Sequence, residues 1–260
     1  MHQTRFPMFA GMCLTLATYL FLYLPIIVLI IFSFNQEQFL AQWTGFTWNW
    51  YQELFNASHV WAAVGNSLIV ACSATCLSIG LSITFLFYCM SQAHIARFVY
   101  LFYINLIVPE IVLAIGLLSF FVFCSIPLGL LTLIAAHTVL GLGYAVPIVY
   151  ARFVSIDKAI IESSLDLGAT TTQTFMKIVV PLLSSSLVTA GLLIFIISFD
   201  DFVLAYFCTG SSAQTLPLYI LAMLRSGISP VINALSTILL CISALFVFLF
   251  CSLRARSRIV

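Results

Sequence analysis

The sequence DKAIIESSLDLGATTTQTFMKIVVP at residues 157–181 interrupts a chain that is otherwise mostly apolar. Apolar and charged residues alternate at helical spacing over 159–167, which predicts a short amphipathic helix. Gly168 can end that helix in the left-handed conformation, and the threonines at 170–172 are suitable N-caps for a second short helix carrying Phe175. We name this stretch the elbow. The residues of the elbow predict two helices joined by a glycine bend, with an apolar tip that fits a cleft in another protein. The alternative interpretation is a plain solvated loop.

The composition places the rest of the chain in a membrane. Of 260 residues, 63% are hydrophobic and 7% are charged, whereas soluble domains have about a quarter charged residues. We therefore expect one transmembrane domain over residues 1–260. The net charge of +1, without a basic run, does not indicate a nucleic-acid partner. The eight cysteines lie in or beside apolar runs without a CxxC motif, so neither a disulfide framework nor a metal site is predicted.

The apolar runs predict an all-α membrane protein with six transmembrane helices. A span needs about 20 residues, and turns or polar loops separate the candidates. The loop of residues 152–177 contains most of the elbow, and the outer segment 209–233 contains a possible surface or re-entrant helix. Residues 47–55 suit a short interfacial helix, acting as an aromatic anchor or a docking site. The third span is expected to be interrupted at Pro109-Glu110 and the fifth at Asp200-Asp201. The spans are predicted at about 8–34, 60–90, 98–124, 130–151, 178–208 and 234–253.

The distribution of positive charge predicts the orientation of these spans. With a cytoplasmic N-terminus, six spans place both termini and the elbow in the cytoplasm. Only Arg225 then lies outside, which agrees with the positive-inside rule. The cytoplasmic basic residues are Arg5, Arg97, Arg152, Lys158, Lys177, Arg254, Arg256 and Arg258.

Three carboxylates in apolar surroundings are candidates for a transport path: Glu110, Asp200 and Asp201. A charge at a span centre costs about 2.5–3.5 kcal/mol, so such residues are expected to face a water-filled path or a ligand. On straight helices, Glu110 would lie about 18 Å past Phe98 and Asp200 about 29 Å past the start of its span. No Lys or Arg shares these spans, which favours a cationic solute over an anion.

These acids also have structural interpretations. Asp200 and Asp201 could mark the outer end of a span, and Glu110 could be protonated inside the bundle. Helical geometry predicts that only one of the two aspartates faces the path at a time. His137 is interpreted as a packed histidine rather than a proton relay. Tyr206 is interpreted as a ring that could stack on an amine, the alternatives being that it faces lipid or packs in the core.

The elbow resembles the cytoplasmic EAA loop of ABC-importer permeases. That pattern reads Glu-Ala-Ala, three residues, Gly, nine residues, Ile-x-Leu-Pro. Glu162, Gly168, Ile178 and Pro181 match at the right spacing, while serines replace both alanines and a valine replaces the leucine. The resemblance implies that the elbow contacts an ATP-hydrolysing subunit. The implied coupling residues are Glu162, Ser163, Ser164, Asp166, Gly168, Ala169, Phe175 and Pro181.

Further motifs resemble spermidine/putrescine importer permeases over nearly the whole chain, closest to the second of their two permease subunits. They are YLPII at 23–27, SFN at 33–35, NSL at 66–68, DLGA at 166–169, SFDDFV at 198–203, TLPL at 215–218 and SPVINAL at 229–235. One departure is Glu110, where an Asp is expected after the proline.

This resemblance implies a type I ABC-importer permease fold in a bacterial inner membrane. It also implies four kinds of contact: a second permease subunit in a heterodimer, an ATPase dimer, a periplasmic polyamine-binding protein and the lipid bilayer. No cofactor is expected on this chain, and the partner ATPase would use ATP and Mg²⁺.

Two other hypotheses remain open from the sequence. The same assembly could import another small cation or a metal complex. Alternatively, an intramembrane enzyme could hold Mg²⁺ with Asp200 and Asp201, although no further aspartate follows within residues 202–210. The chain has no G-x-x-x-x-G-K-[ST] sequence, so it is not expected to bind ATP itself through a P-loop.

Overall fold

The computed structural model describes residues 5–37, 42–210, 213–226 and 230–257. Regular structure in these ranges is helical, apart from one antiparallel bridge pair between Asn35 and Phe46. The chain folds into two compact units. The first consists of Met1–Ser58 and Ile220–Val260, and the second of His59–Tyr219.

The first unit is built from one long N-terminal helix, one short helix and the C-terminal helix. These are α1 (Arg5–Phe32), α2 (Asn49–Asn56) and α12 (Pro230–Ser257), and α12 packs against both others. Pro25 lies inside α1 without ending it. The short helix predicted over 47–55 is therefore confirmed as α2.

A hydrogen-bonded turn connects α1 to α2. The buried Asn35 side chain donates to the Gln42 carbonyl at 2.7 Å and accepts from the Thr44 amide at 2.9 Å. The Trp50 indole nitrogen donates to the Asn35 carbonyl at 2.6 Å. Four aromatic rings pack together beside this turn: Phe34, Phe46, Trp48 and Tyr51.

The second unit contains the remaining helices. Two of them cross its boundary, since α3 begins one residue earlier and α11 ends beyond it. A 3₁₀ turn at Ala93–Phe98 precedes α4, and a π turn at Phe175–Val179 lies between α8 and α9. The helices are α3 (Ser58–Ser91), α4 (Val99–Ile107), α5 (Glu110–Phe123), α6 (Leu130–Val154), α7 (Lys158–Asp166), α8 (Thr171–Thr174), α9 (Val180–Asp200), α10 (Val203–Cys208) and α11 (Leu216–Ser226).

Four of the described helical stretches are long and apolar enough to cross a membrane, and a fifth is counted if one bent pair forms a single span. The spans predicted at about 8–34, 60–90 and 130–151 correspond to α1, α3 and α6. The shorter apolar stretches are Leu216–Arg225 and Pro230–Leu245. The four long stretches are Gly11–Phe32, Ser58–Ser91, Leu130–Val154 and Thr171–Asp200.

The third predicted span is not straight. Its two parts, α4 and α5, meet at an angle of 108°. Pro109 has no amide hydrogen to continue α4, and Val108 before it is extended, with φ −68° and ψ 129°. The straight-helix estimate that placed Glu110 about 18 Å along the span is therefore wrong, because Glu110 begins a new helix in another direction.

The fifth predicted span begins earlier than expected. Helical structure runs without a break from Thr171 to Asp200, so the second helix of the elbow is the start of the span and not a separate short helix. The π turn at Phe175–Val179 lies just before Pro181, whose missing amide hydrogen disturbs the regular α pattern. The predicted break at the two aspartates is confirmed, since Asp201 is extended and α10 follows.

The core of the second unit is organised around α6, which packs against α4, α9 and α10. Polar side chains from neighbouring helices bind its backbone: Ser78 donates to the Thr138 carbonyl at 3.1 Å, and Asn105 to the Val139 carbonyl at 2.7 Å. Close approach depends on Gly141, where a Cβ atom would lie 2.4 Å from the Ser78 hydroxyl and 2.9 Å from Ile194. Small and polar residues are typical of helix contacts in membranes.

Candidate functional site

The first half of the elbow ends in a complete Schellman motif. The Asp157 carboxylate caps α7 by accepting from the Ala159 amide at 3.0 Å. At the other end, the Gly168 amide donates to the Leu165 carbonyl at 2.9 Å, and the next amide donates to the Ser164 carbonyl at 3.2 Å. Gly168 has φ +88°, the left-handed conformation that the sequence predicted for it.

The second half of the elbow begins with a capping box. The Thr170 hydroxyl accepts from the Gln173 amide at 3.3 Å, and the Gln173 side chain accepts from the Thr170 amide at 2.9 Å. The two halves are joined by Ser164 and Thr174, whose buried hydroxyls lie 2.9 Å apart. The bend is therefore fixed by local hydrogen bonds on both sides of Gly168.

Phe175 lies inside the unit rather than on the surface of the elbow. Only 2% of it is exposed, and its ring makes an edge-to-face contact with Phe87 at 5.3 Å between centroids. Phe175 is therefore not part of the exposed tip of the elbow, because the helix continues into the span and turns this ring toward the core. The exposed apolar tip consists instead of Leu167, 89% exposed, and Met176, 58% exposed.

The other predicted coupling residues occupy the outer surface or the bend. Ser164 is buried, Ala169 is half-buried, and Gly168 is exposed. A groove of about 510 Å³ runs along the elbow and is lined by apolar side chains such as Ile160 and Ile178. The exposed side chains are those of Glu162, Ser163, Asp166 and Pro181.

The three candidate acids meet at one cavity. Glu110, Asp200 and Asp201 line a space of about 290 Å³ together with Phe202. They converge because two helix breaks face each other: α5 begins at Glu110, and α9 ends at Asp200. We name this space the carboxylate pocket. Its other walls are Ile196, Ile197 and Val203.

The two aspartates have different environments. Asp200 is exposed, whereas Asp201 is 7% exposed and its side chain accepts from the Ala205 amide at 3.1 Å. Asp201 thus also caps the first turn of α10. In the described ranges, no group of three His, Cys, Asp or Glu side chains could hold a metal ion.

The backbone adds negative potential to the pocket. The last carbonyl groups of α9 have no partners within the helix, and the C-terminal end of a helix carries partial negative charge. The half-buried Glu110 and buried Asp201 add ionisable oxygens at the same place. The arrangement can therefore bind a cation with several hydrogen-bond donors, such as an ammonium group.

His137 extends from α6 toward this pocket. It is 1% exposed, which confirms that it is a packed residue. Its Nδ1 lies 2.9 Å from the Ser198 hydroxyl, and its Nε2 lies 3.4 Å from Asp201 Oδ2. Sequence reasoning predicted no internal partner for the acids and missed this one. The available signal was a single histidine in the apolar span 130–151.

Tyr206 does not line the pocket. Its ring is 52% exposed and lies 5.6 Å from the Phe202 ring and 5.3 Å from the Phe207 ring, measured between centroids. Phe202 is the aromatic residue that lines the cavity. Sequence reasoning missed Phe202 because it assigned the stacking on an amine chain to Tyr206.

Two of the sequence motifs meet outside the pocket. The Asn66 side chain donates to the Gln214 carbonyl at 3.0 Å, and the Leu216 amide donates to the Ser67 hydroxyl at 2.9 Å. The NSL motif therefore fixes the beginning of α11. The nearby Gly210, with φ +64°, lies so close to Leu128 that a Cβ atom would be 2.7 Å from its carbonyl oxygen.

Sequence comparisons find similar curated permeases. The chain is 36% identical over 234 residues to the spermidine/putrescine transport system permease protein PotC of Haemophilus influenzae, covering 89% of this chain and 91% of that protein. It is 37% identical over 233 residues to PotC of Escherichia coli K12, with 89% and 88% covered. It is 32% identical over 251 residues to the putrescine transport system permease protein PotI of the same strain, with 92% and 88% covered.

A structural comparison finds the same fold in a solved transporter. A chain of the crystal structure of a bacterial ABC transporter involved in the import of the acidic polysaccharide alginate superimposes with a TM-score of 0.71 at 14% identity, covering 97% of each chain. No protein-family model matches the chain.

Proposed function

Because the chain belongs to the family of spermidine/putrescine ABC-transporter permeases, we propose that it imports polyamines by passing them through the carboxylate pocket. Members of this family are transport subunits and not enzymes, and they lie in the bacterial inner membrane.

The observation that carries the proposal is the meeting of Glu110, Asp200 and Asp201 at one cavity. A protonated polyamine brings several positive charges separated by flexible methylene chains. Acidic oxygens and helix-end carbonyls offset the cost of removing each ammonium group from water, while Phe202 and Ile197 offer apolar surface for the methylene chain. An anionic solute would be repelled by the same groups.

We also propose a six-span topology with both termini in the cytoplasm, in one permease domain of the type I ABC-importer fold. The positive-inside rule supports this orientation. A fluorescent protein that folds only in the cytoplasm, fused after Val260, should fluoresce in intact cells. A dark, fully translocated fusion would contradict the orientation.

The elbow would bind an ATPase subunit in this arrangement. Its exposed apolar tip at Leu167 and Met176 and its internally hydrogen-bonded bend suit a rigid contact that transmits movement. The ATPase dimer would use ATP and Mg²⁺, a second permease would complete the path as a heterodimer, and a periplasmic binding protein would deliver the amine. This chain would bind no cofactor itself.

The substrate is tested by comparing cargoes. A complex reconstituted with its partner subunits should import labelled putrescine or spermidine and should not import thiamine, which represents another small cation. Each unlabelled cargo should then be used as a competitor. Preferential import of thiamine, with neither amine transported, would contradict the polyamine assignment while leaving the permease family intact.

A further inference from the structure

The connection between the elbow and the carboxylate pocket runs through one pair of helices. α6 leads into the elbow and α9 leads out of it, and the two pack side by side. Asp201 follows α9 directly, about 30 Å along the helix from Pro181 at a rise of 1.5 Å per residue. The elbow and the pocket therefore lie at opposite ends of this pair.

His137 joins the two helices at the end near the pocket. It extends from α6, and both of its ring nitrogens face groups on or directly after α9: Ser198 at 2.9 Å and Asp201 at 3.4 Å. The three side chains are buried, with 1% of His137, 6% of Ser198 and 7% of Asp201 exposed. Only the carboxyl group of Asp201 also lines the pocket.

The protonation of the imidazole ring decides which of its two nitrogens donates and which accepts in these contacts. A neutral imidazole has one donor and one acceptor nitrogen. With the hydrogen on Nε2, the ring accepts from the Ser198 hydroxyl at Nδ1, and the protonated nitrogen lies 3.4 Å from Asp201 Oδ2. Nε2 has no hydrogen bond of normal geometry in the described part of the chain, and the Asp201 carboxylate oxygen at 3.4 Å is the acidic group that it faces.

Resting on the proposed function, we infer that His137 is a positioning residue for the solute path. Supported by Ser198, it orients the Asp201 carboxyl group at the wall of the pocket and connects the acid to the helix pair that leaves the elbow. His137 touches no solute itself. Its removal takes away the contact with Asp201 from α6, while the Ala205 amide still donates to the same carboxyl group.

The experiment measures amine uptake by the complete complex in cells that lack their own polyamine import. His137→Leu removes both contacts at similar volume and is expected to raise the half-saturating putrescine concentration about tenfold with little change in the maximal rate. His137→Gln places an amide nitrogen near the position of Nε2 and is expected to restore most of the affinity. Ser78→Ala is the matched control, because its hydroxyl binds the α6 backbone beside His137 without touching Asp201.

A double-mutant cycle separates positioning from a general structural role. In the Asp201→Asn background, His137→Leu should have little further effect, since the residue it orients is already changed. If the two effects multiply instead, or if His137→Leu alone leaves uptake unchanged, the inference is wrong. If His137→Leu does not assemble, the same cycle with Ser198→Ala decides, with a smaller effect expected in the same direction.

Different results would contradict the proposed function and the positioning role of His137. Unchanged amine uptake in Asp201→Asn would contradict the proposal that the solute passes through the carboxylate pocket. Impaired uptake in Asp201→Asn, together with normal uptake in both His137→Leu and Ser198→Ala, would leave the path in place and remove only the positioning role.

Discussion

The elbow and the carboxylate pocket are built in different ways. The elbow is fixed by contacts between residues near each other in sequence, such as the capping box at Thr170 and Gln173 and the Ser164–Thr174 pair. The pocket brings together Glu110 and Asp201, which are far apart along the chain. A local motif is specified by the residues it contains, whereas the pocket depends on how two broken spans pack.

The largest expected effect is in the pocket. Asp200→Asn combined with Asp201→Asn keeps the volume of both side chains and removes their charge. We expect amine uptake to fall about 100-fold or more, since an unpaired buried ammonium group loses its counter-charge. Uptake should be measured together with co-purification of the partner subunits. Unchanged uptake would mean that the two aspartates only mark the end of a span.

The next effect tests the elbow. Gly168→Val forces a β-branched residue into φ +88°, which costs about 1–2 kcal/mol in a conformation that L-residues avoid. No atom lies within 4 Å of the added Cβ position, so the effect comes from backbone strain rather than a clash. We expect ATP hydrolysis to continue while amine uptake falls, as measured by the ratio of the two rates.

Gly168→Asn provides the control for that experiment, because asparagine tolerates the left-handed conformation better than valine. It should retain most of the coupling. Loss of coupling in Gly168→Asn, or normal coupling in Gly168→Val, would show that the bend at Gly168 does not transmit the movement.

A third prediction concerns the helix packing on which the pocket depends. Gly141→Ala would place a methyl group 2.4 Å from the Ser78 hydroxyl and 2.9 Å from Ile194, forcing α6 away from its neighbours. We expect the free energy of unfolding in detergent to fall by about 1–3 kcal/mol. Gly116→Ala is the matched control, since nothing lies within 4 Å of its added methyl group, and equal destabilisation by both variants would contradict the packing argument.

The smallest expected effect is again in the elbow. Ser164→Ala removes the hydrogen bond to Thr174 and leaves that buried hydroxyl without its partner, at a cost of about 1 kcal/mol. Amide hydrogen exchange should increase over Lys158–Asp166 and change little in α6. Uptake should remain near its normal level, because the EAA pattern that the elbow resembles has alanine at this position.

Much of the elbow was predictable because backbone rules operate over a few residues. The positive φ of Gly168 and the N-cap at Thr170 follow from residue type and spacing. The direction of the Phe175 side chain was not predictable, since it depends on the helix continuing into the span through a π turn. The sequence indicated a helix break before Glu110, but the angle of 108° between the two helices could not be predicted from it.

The sequence by itself determined a helical membrane protein, the positions of the helix breaks and the membership of its acids in apolar spans. Composition and spacing suffice for these features because burial in lipid requires apolar helices, and prolines and charges interrupt them. Only the tertiary structure decided that both breaks face one cavity and that His137 approaches Asp201 from another helix. These contacts between distant residues depend on how the packed helices cross. The spacing of residues along the sequence does not specify that crossing.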